Sequence, residues 1–112
     1  MNIGVVGLGL IGGSLAKAIK ANSDHIVYGM DISAPVVYKA KLLDAIDDEL
    51  TSDRIGLCDI IIVAIYPHDT VSFLQEHSSH IKKGSIVVDC CGVKEFVCKN
   101  AWELAEQYGY TF

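Results

Sequence analysis

Short apolar runs alternate along the chain with segments in which apolar residues recur at helical spacing. The runs at residues 3–6, 25–30, 59–65 and 85–89 are rich in Ile and Val and have the length of a strand. A very short additional strand is predicted at residues 49–51, inside an acidic stretch that a solvated loop would explain equally well. Strands that alternate with helices predict an α/β domain built on a parallel sheet.

Each helical segment carries one apolar stripe, which we expect to face the sheet. In chain order the stripes are Ile11, Leu15, Ala18 and Ile19; Val37, Ala40 and Leu43; Val71, Leu74 and Ile81; and Val97, Ala101, Leu104, Ala105 and Tyr108. From strands and helices together we predict six core residues, Leu15, Ile19, Ile61, Val63, Val87 and Leu104.

Polar and special residues mark the ends of these helices. Ser33 and Asp69 are good N-caps, and Pro35 falls in a first helical turn, where its missing N–H costs nothing. Gly109 is placed to close the last helix as its C′ residue. Residues 110–112 have strand propensity and are predicted to begin a sixth strand.

Three glycines lie between the first strand and the first helix, with the spacing Gly7-x-Gly9-x-x-Gly12. In this position the spacing is typical of dinucleotide-binding domains. The first glycine allows a tight turn, the second lets a pyrophosphate approach the backbone, and the third lets the helix pack closely on the strand. The helix N-terminus then offers N–H groups to the phosphates. We predict that the pyrophosphate is bound by the whole loop, Gly7, Leu8, Gly9, Leu10, Ile11 and Gly12.

An acidic residue, Asp31, ends the second strand 19 residues after Gly12, close to the spacing expected of an acid that binds the adenosine ribose. Its charge would repel a 2′-phosphate, and no Arg follows it, so we expect NAD to be favoured over NADP. The adjacent residues Ile32 and Ser33 are expected to belong to the same part of the site.

The glycine motif and the strand pattern together predict a doubly wound parallel sheet of the Rossmann type. Right-handed crossovers give the strand order 3-2-1-4-5, with the start of a sixth strand. A length of 112 residues suits a single domain, so residues 1–112 are predicted to form one dinucleotide-binding domain.

The carboxyl ends of the fourth and fifth predicted strands reach the edge of the sheet where open α/β folds bind ligands. We expect residues there to border the second ribose and the nicotinamide, with ordinary packing an equal alternative for Tyr66. These residues are Ala64, Ile65, Tyr66, Pro67 and Cys91. Of the four histidines only His68 falls near this edge, and solvation explains His25, His77 and His80.

Composition excludes several classes of function. The net charge is −5 and the nine Lys and Arg are scattered, so nucleic acid is not an expected partner. No apolar run approaches the length of a membrane span and no secretory signal is visible, which favours the cytoplasm. The four cysteines lack the paired spacing of a zinc site, so we predict no metal site and free, buried thiols.

Three segments resemble the prephenate and arogenate dehydrogenases of tyrosine biosynthesis. They are Val-Gly-Leu-Gly-Leu-Ile-Gly-Gly-Ser-Leu-Ala at residues 6–16, Tyr-Gly-Met-Asp at residues 28–31 and Val-Asp-Cys-Cys-Gly-Val-Lys at residues 88–94. The resemblance covers nearly the whole chain, but only the amino-terminal, cofactor-binding part of such an enzyme. It implies oxidative decarboxylation of prephenate to 4-hydroxyphenylpyruvate, with hydride transfer to NAD, in a protein whose full-length form is a homodimer.

The resemblance also says where the catalytic groups lie. The family's catalytic histidine belongs to a Gly-Gly-His-Pro segment that would follow Phe112, so no histidine of this chain inherits its role and no catalytic residue is assigned. We therefore expect the chain by itself to bind NAD(H) without turning over prephenate or arogenate. Many members also read Asp-x-Gly-Ser-x-Lys after the fifth strand, whereas this chain has Cys91 and Gly92 in place of the glycine and serine.

Two alternatives stay open. One is another β-hydroxyacid or imine dehydrogenase with the same nucleotide-binding half, such as 3-hydroxyisobutyrate dehydrogenase or pyrroline-carboxylate reductase. The other is a non-catalytic module that senses NAD. The continuation Gly13-Ser14 after the glycine motif favours the prephenate dehydrogenase family.

Overall fold

The structure, a computed structural model, describes residues 1–90 and 94–112. The strands are β1 (Asn2–Val6), β2 (Ile26–Met30), β3 (Asp48–Glu49), β4 (Ile60–Val63) and β5 (Ile86–Asp89). The helices are α1 (Leu10–Asn22), α2 (Ala34–Leu42), α3 (Ser52–Ile55), α4 (Pro67–His77) and α5 (Lys94–Tyr108), with a 3₁₀ turn at Ser78–His80 after α4.

All five strands are parallel and lie in the order β3-β2-β1-β4-β5, which confirms the predicted sheet. The predicted start of a sixth strand is also present, because Thr111 forms a parallel bridge beside β5. Its N–H donates to the carbonyl of Ser85 at 2.9 Å, and its carbonyl accepts the N–H of Val87 at 2.7 Å.

The two faces of the sheet carry separate cores. On the face covered by α1 and α2, strand residues pack with Ala16 and Val37. On the opposite face, Ile61, Val63 and Val87 pack against α4 and α5. Ile61, Val63 and Val87 are fully buried, as predicted.

The acidic stretch before β4 contributes more to the core than its composition suggests. Ala45, Ile46, Leu50, Ile55 and Cys58 are all buried. Burial raises the pKa of the Cys58 thiol to about 11, because the apolar surroundings disfavour the thiolate. The charged residues between these positions stay at the surface, so an irregular segment with no clear periodicity still packs beneath the sheet.

The predicted buried stripe of α1 is wrong. Leu15 is 36% exposed and Ile11 and Ala18 are also exposed, while Ile19 is half-buried. The residues of α1 that the sheet buries are Gly12 and Ala16. Small residues allow the helix to approach the strands closely, so the contact face is the one with the least bulk rather than the most hydrophobic one.

Other local predictions differ from the structure by smaller amounts. Leu43 lies at the C-cap of α2 and is exposed, and Leu104 and Tyr108 are only partly buried. Asp69 lies in the first turn of α4 rather than at its N-cap, which is Tyr66. The predicted strand bounds also differ from the observed ones. The predicted first strand begins one residue too late, and the predicted second and fifth strands each begin one residue too early. The predicted third strand, residues 49–51, is Asp48–Glu49, and the predicted fourth strand, residues 59–65, is three residues longer than Ile60–Val63.

Two predicted helix ends are confirmed. Ser33 is the N-cap of α2, although its hydroxyl makes no capping hydrogen bond. Gly109 follows α5 with φ +82°, and its N–H donates to the carbonyl of Ala105 at 2.8 Å. Within the described residues, no helix is long and apolar enough to cross a membrane.

A pair of leucines tests the corrected core. Leu74→Ala, at a fully buried position of α4, should lower the free energy of unfolding by about 2–5 kcal/mol. Leu15→Ala removes the same atoms from a position that is 36% exposed, so it should cost less than about 1 kcal/mol. Urea unfolding of both variants measures the difference, and equal losses would mean that Leu15 belongs to the core after all.

Candidate functional site

The site lies where β1, β2, β4 and β5 end together. The strand register places Val6 level with Met30 and Val63, and Val63 level with Asp89. The residues that follow these positions therefore lie together at one edge of the sheet. They are Gly7, Asp31, Ala64 and Cys90. Three backbone hydrogen bonds continue the ladder there, from the N–H groups of Gly7, Ala64 and Cys90 to the carbonyls of Met30, Val6 and Val63.

Steric contacts explain the first and third glycines of the motif. Gly7 has φ +92°, and a Cβ on it would lie 2.4 Å from the carbonyl oxygen of Ala64. A Cβ on Gly12 would lie 1.7 Å from the carbonyl oxygen of Gly7, so α1 begins in backbone contact with the turn that precedes it. Neither position has room for any other residue.

Gly9 differs from these two. It is the N-cap of α1 with φ −70°, and a Cβ built on it would meet no protein atom within 4 Å. The fold therefore does not require a glycine here, and the space beside it is open. The first-turn N–H groups of Leu10 and Ile11 have no carbonyl in a preceding turn to accept them, and the positive end of the helix dipole lies beside the same open space.

Asp31 connects the glycine loop to the start of α2. One carboxylate oxygen accepts the N–H of Leu8 at 2.9 Å, and the other accepts the N–H of Ser33 at 2.9 Å. Each oxygen of an ionised carboxylate has two lone pairs, so each can accept a further hydrogen bond. The side chain is half-buried at the edge of the sheet, where a ligand can reach it.

A cleft of about 860 Å³ runs along this edge, within the size range of small-molecule sites. Nine of the predicted cofactor-binding residues line it: Gly7, Gly9, Ile11, Asp31, Ile32, Ala64, Ile65, Tyr66 and Pro67. Ile32 is fully exposed and Tyr66 is 81% exposed, so both present large side chains to a ligand rather than to the core.

The structure places the remaining predicted residues differently. Leu8 is buried in the core on the α1 face, and its N–H is bonded to Asp31. Gly12 packs against the turn, Leu10 is exposed, and the N–H of Ser33 donates a hydrogen bond to Asp31. These four residues do not line the cleft. Cys91 lies outside the described residues.

The cleft has further walls that the sequence analysis did not identify. They are Val6, Met30, Glu49, Leu50, Asp69, Ser72, Phe73, Glu76, His77 and Cys90. Glu49 ends β3, Leu50 follows it, and the α4 residues come after Pro67 in the chain. In the sequence, the only indication that these residues belong to the site is that they come just after strand ends. The side of α4 that faces the cleft is known only from the packing of α4 against the sheet.

His77 is not solvated as predicted. Its side chain is 14% exposed, its ring packs 4.9 Å from that of Phe73, and its buried Nδ1 has no hydrogen-bond partner among the described residues. His68, in contrast, is exposed and does not line the cleft, and its ring packs 4.7 Å from that of Phe96.

The prediction of buried thiols holds for one of the described cysteines. Cys58 is buried, Cys98 is partly buried, and Cys90 is exposed at the cleft. None of the three is in a disulfide.

Comparison with known proteins identifies the family. The model of the family described as prephenate dehydrogenase, nucleotide-binding domain, matches residues 15–111. The chain belongs to this family. The matched span begins after Gly12, so the geometry of the glycine loop is an observation independent of the match.

Solved structures agree with this assignment. Synechocystis arogenate dehydrogenase is 29% identical, with a TM-score of 0.85 over 93% of this chain and 37% of its own. Prephenate dehydrogenase from Aquifex aeolicus, in complex with hydroxyphenyl propionate and NAD+, is 21% identical, with a TM-score of 0.75 over 89% of this chain and 39% of its own. This second likeness shows the fold.

Dehydrogenases of another kind share the fold. Mycobacterium tuberculosis 3-hydroxyisobutyrate dehydrogenase has a TM-score of 0.85 at 16% identity, over 98% of this chain and 38% of its own. The chain spans less than half the length of each of these three proteins. The comparisons therefore establish a nucleotide-binding domain of a dehydrogenase family.

Proposed function

We propose that the cleft binds NAD and that the chain is the cofactor domain of an NAD-dependent dehydrogenase acting on prephenate or arogenate. The observation that carries the proposal is the Asp31 carboxylate, which joins the glycine loop to the end of β2 and still has acceptor capacity on both oxygens. A carboxylate in this position suits the paired hydroxyls of an adenosine ribose.

Each part of the dinucleotide has a matching part of the cleft. The pyrophosphate would lie beside Gly9, where the N–H groups of Leu10 and Ile11 and the dipole of α1 favour an anion. The adenosine ribose would lie at Asp31, with the base against the exposed side chain of Ile32. The nicotinamide half would extend along Tyr66 towards the end of β5.

A bound nicotinamide would supply the redox chemistry, because its ring can accept a hydride. The residues of this chain would bind and orient the cofactor, and Ala64, Ile65 and Pro67, which line the cleft, would shield one side of it from water. In the proposed reaction prephenate loses a hydride to NAD+ and loses its ring carboxylate as CO₂, leaving 4-hydroxyphenylpyruvate. We assign no catalytic residue within the chain, and we propose that the whole protein is a homodimer, as the family resemblance implies.

The cofactor assignment predicts that NAD binds more tightly than NADP. The 2′-phosphate of NADP carries close to two negative charges at neutral pH, and it would face the Asp31 carboxylate. Calorimetric titration of the chain with NAD+ and then with NADP+ measures both dissociation constants. Equal affinities would contradict the role given to Asp31, and no binding of either would contradict the proposed function.

The substrate is tested on the full-length protein. NADH absorbance, followed with prephenate, arogenate and 3-hydroxyisobutyrate in turn, should increase only with one of the first two. An increase with 3-hydroxyisobutyrate alone would assign the protein to the other group of dehydrogenases that share this fold.

A further inference from the structure

We infer that Glu49 is a second determinant of cofactor choice and that, together with Asp31, it disfavours a 2′-phosphate on the adenosine ribose. This inference rests on the proposed binding of NAD in the cleft. It assigns a role in cofactor choice to a residue that belongs neither to the glycine loop nor to the end of β2.

The strand register places Glu49 beside the ribose end of the cleft. Glu49 pairs with Gly29 on the neighbouring strand, and Asp31 lies two residues further along that strand. With the usual strand spacing and rise, the Cα atoms of Glu49 and Asp31 are roughly 8 Å apart. Residues in register share a face of a sheet, as do residues two apart, so the two acids belong to the same side. Both line the cleft.

Among the described residues, no cation forms an ion pair with the Glu49 carboxylate. Arg54 and Lys41, the cations that reach this end of β3, each lie 3.2 Å from a carboxylate oxygen of Asp48. The Arg54 guanidinium also donates to the backbone carbonyl of Glu49 at 2.8 Å and lies over the ring of Tyr28. Hydrogen bonds from the N–H of Glu49 and the ammonium of Lys41 lower the pKa of Asp48. The Asp48 carboxylate therefore stays charged and pairs with Lys41 and Arg54.

The other charged side chains that line the cleft are also acidic. Asp69 and Glu76 also line it, and among the described lining residues there is no Lys or Arg. A cleft that is to accept a 2′-phosphate needs a cation near the ribose, since a doubly charged phosphate would otherwise face several carboxylates. We therefore expect the Glu49 carboxylate to add to the effect of Asp31 against NADP.

The test compares Glu49→Gln, Asp31→Asn and the double variant with the parent chain. Glutamine has the shape of glutamate without its charge, and Glu103→Gln, at an exposed position of α5 outside the cleft, is the matched control. Calorimetry gives the dissociation constants for NAD+ and NADP+, and the measured quantity is their ratio, at low and at high ionic strength.

Glu49→Gln should strengthen NADP+ binding relative to NAD+ binding by about fivefold. This is the effect expected when one charge faces a phosphate at roughly 8 Å in a partly solvated site. Asp31→Asn alone should keep a preference for NAD, the double variant should lose more of it than either single variant, and the Glu49 effect should shrink in high salt. The inference would be overturned, with NAD binding intact, if Glu49→Gln kept the ratio of the parent chain and the double variant kept the ratio of Asp31→Asn. If the parent chain binds no NAD, the proposed function fails, and the inference fails with it.

Discussion

Gly12→Ala is expected to lose both the native fold around the first helix and the binding of NAD. The new Cβ would lie 1.7 Å from the carbonyl oxygen of Gly7, a backbone atom that cannot move aside without displacing α1 or the turn. A backbone clash of this kind belongs to the large-effect class of substitutions, so we expect a loss of about 3 kcal/mol or more in the free energy of unfolding. For a domain of this size that lowers the melting temperature by roughly 10 °C or more, measurable by circular dichroism.

Gly9→Ala provides the matched control in the same loop. Its Cβ would meet no protein atom within 4 Å and its φ is −70°, which alanine adopts without strain. The stability cost should be about 1 kcal/mol or less, since alanine is only a poorer N-cap than glycine. NAD binding should still weaken at least about tenfold, because the methyl group would enter the space proposed for the pyrophosphate. A Gly9→Ala chain with normal stability and normal NAD affinity would contradict that placement.

Asp31→Asn has the second largest expected effect. The substitution replaces a charged carboxylate, whose oxygens accept the N–H groups of Leu8 and Ser33, with a neutral amide. It also removes one oxygen acceptor for the ribose hydroxyls. Hydrogen bonds to a charged group contribute about 1.5–3 kcal/mol each, so NAD affinity should fall by about 100-fold. Calorimetry measures the affinity, and thermal unfolding shows how much of the loss comes from a weakened loop.

The control for Asp31 is Asp24→Asn, which changes an exposed acid in the loop before β2. It should leave the melting temperature and the NAD affinity within experimental error of the parent. A full-strength NAD interaction in Asp31→Asn would show that the carboxylate holds the loop together without touching the cofactor.

Local rules in the sequence determined the order of the elements, the sheet topology and the core of the site. Alternation of apolar runs with helical segments and right-handed crossovers are enough to give β3-β2-β1-β4-β5. The glycine spacing and Asp31 could be assigned because each depends on chain geometry within a few residues of a strand end. Gly7 and Asp31 both line the cleft.

Tertiary packing decided which side of α1 is buried. The hydrophobic stripe of α1 suggests Leu15 as a core residue, yet the sheet contacts Gly12 and Ala16, because close helix–strand approach at the glycine turn fixes the rotation of the helix. Hydrophobicity alone could not predict this, since the closest contact is made by the smallest residues.

The far wall of the cleft also depended on the tertiary structure. Glu49 reaches the cleft through its register with Gly29, and Phe73 and His77 reach it through the docking of α4 on the sheet. The sequence by itself determined the glycine loop, the acidic residue at the end of β2 and the strand order, because these follow from local backbone geometry and chain connectivity. Only the tertiary structure decided the packed face of α1 and the acidic and aromatic lining of the cleft, because these depend on contacts between residues far apart in the chain.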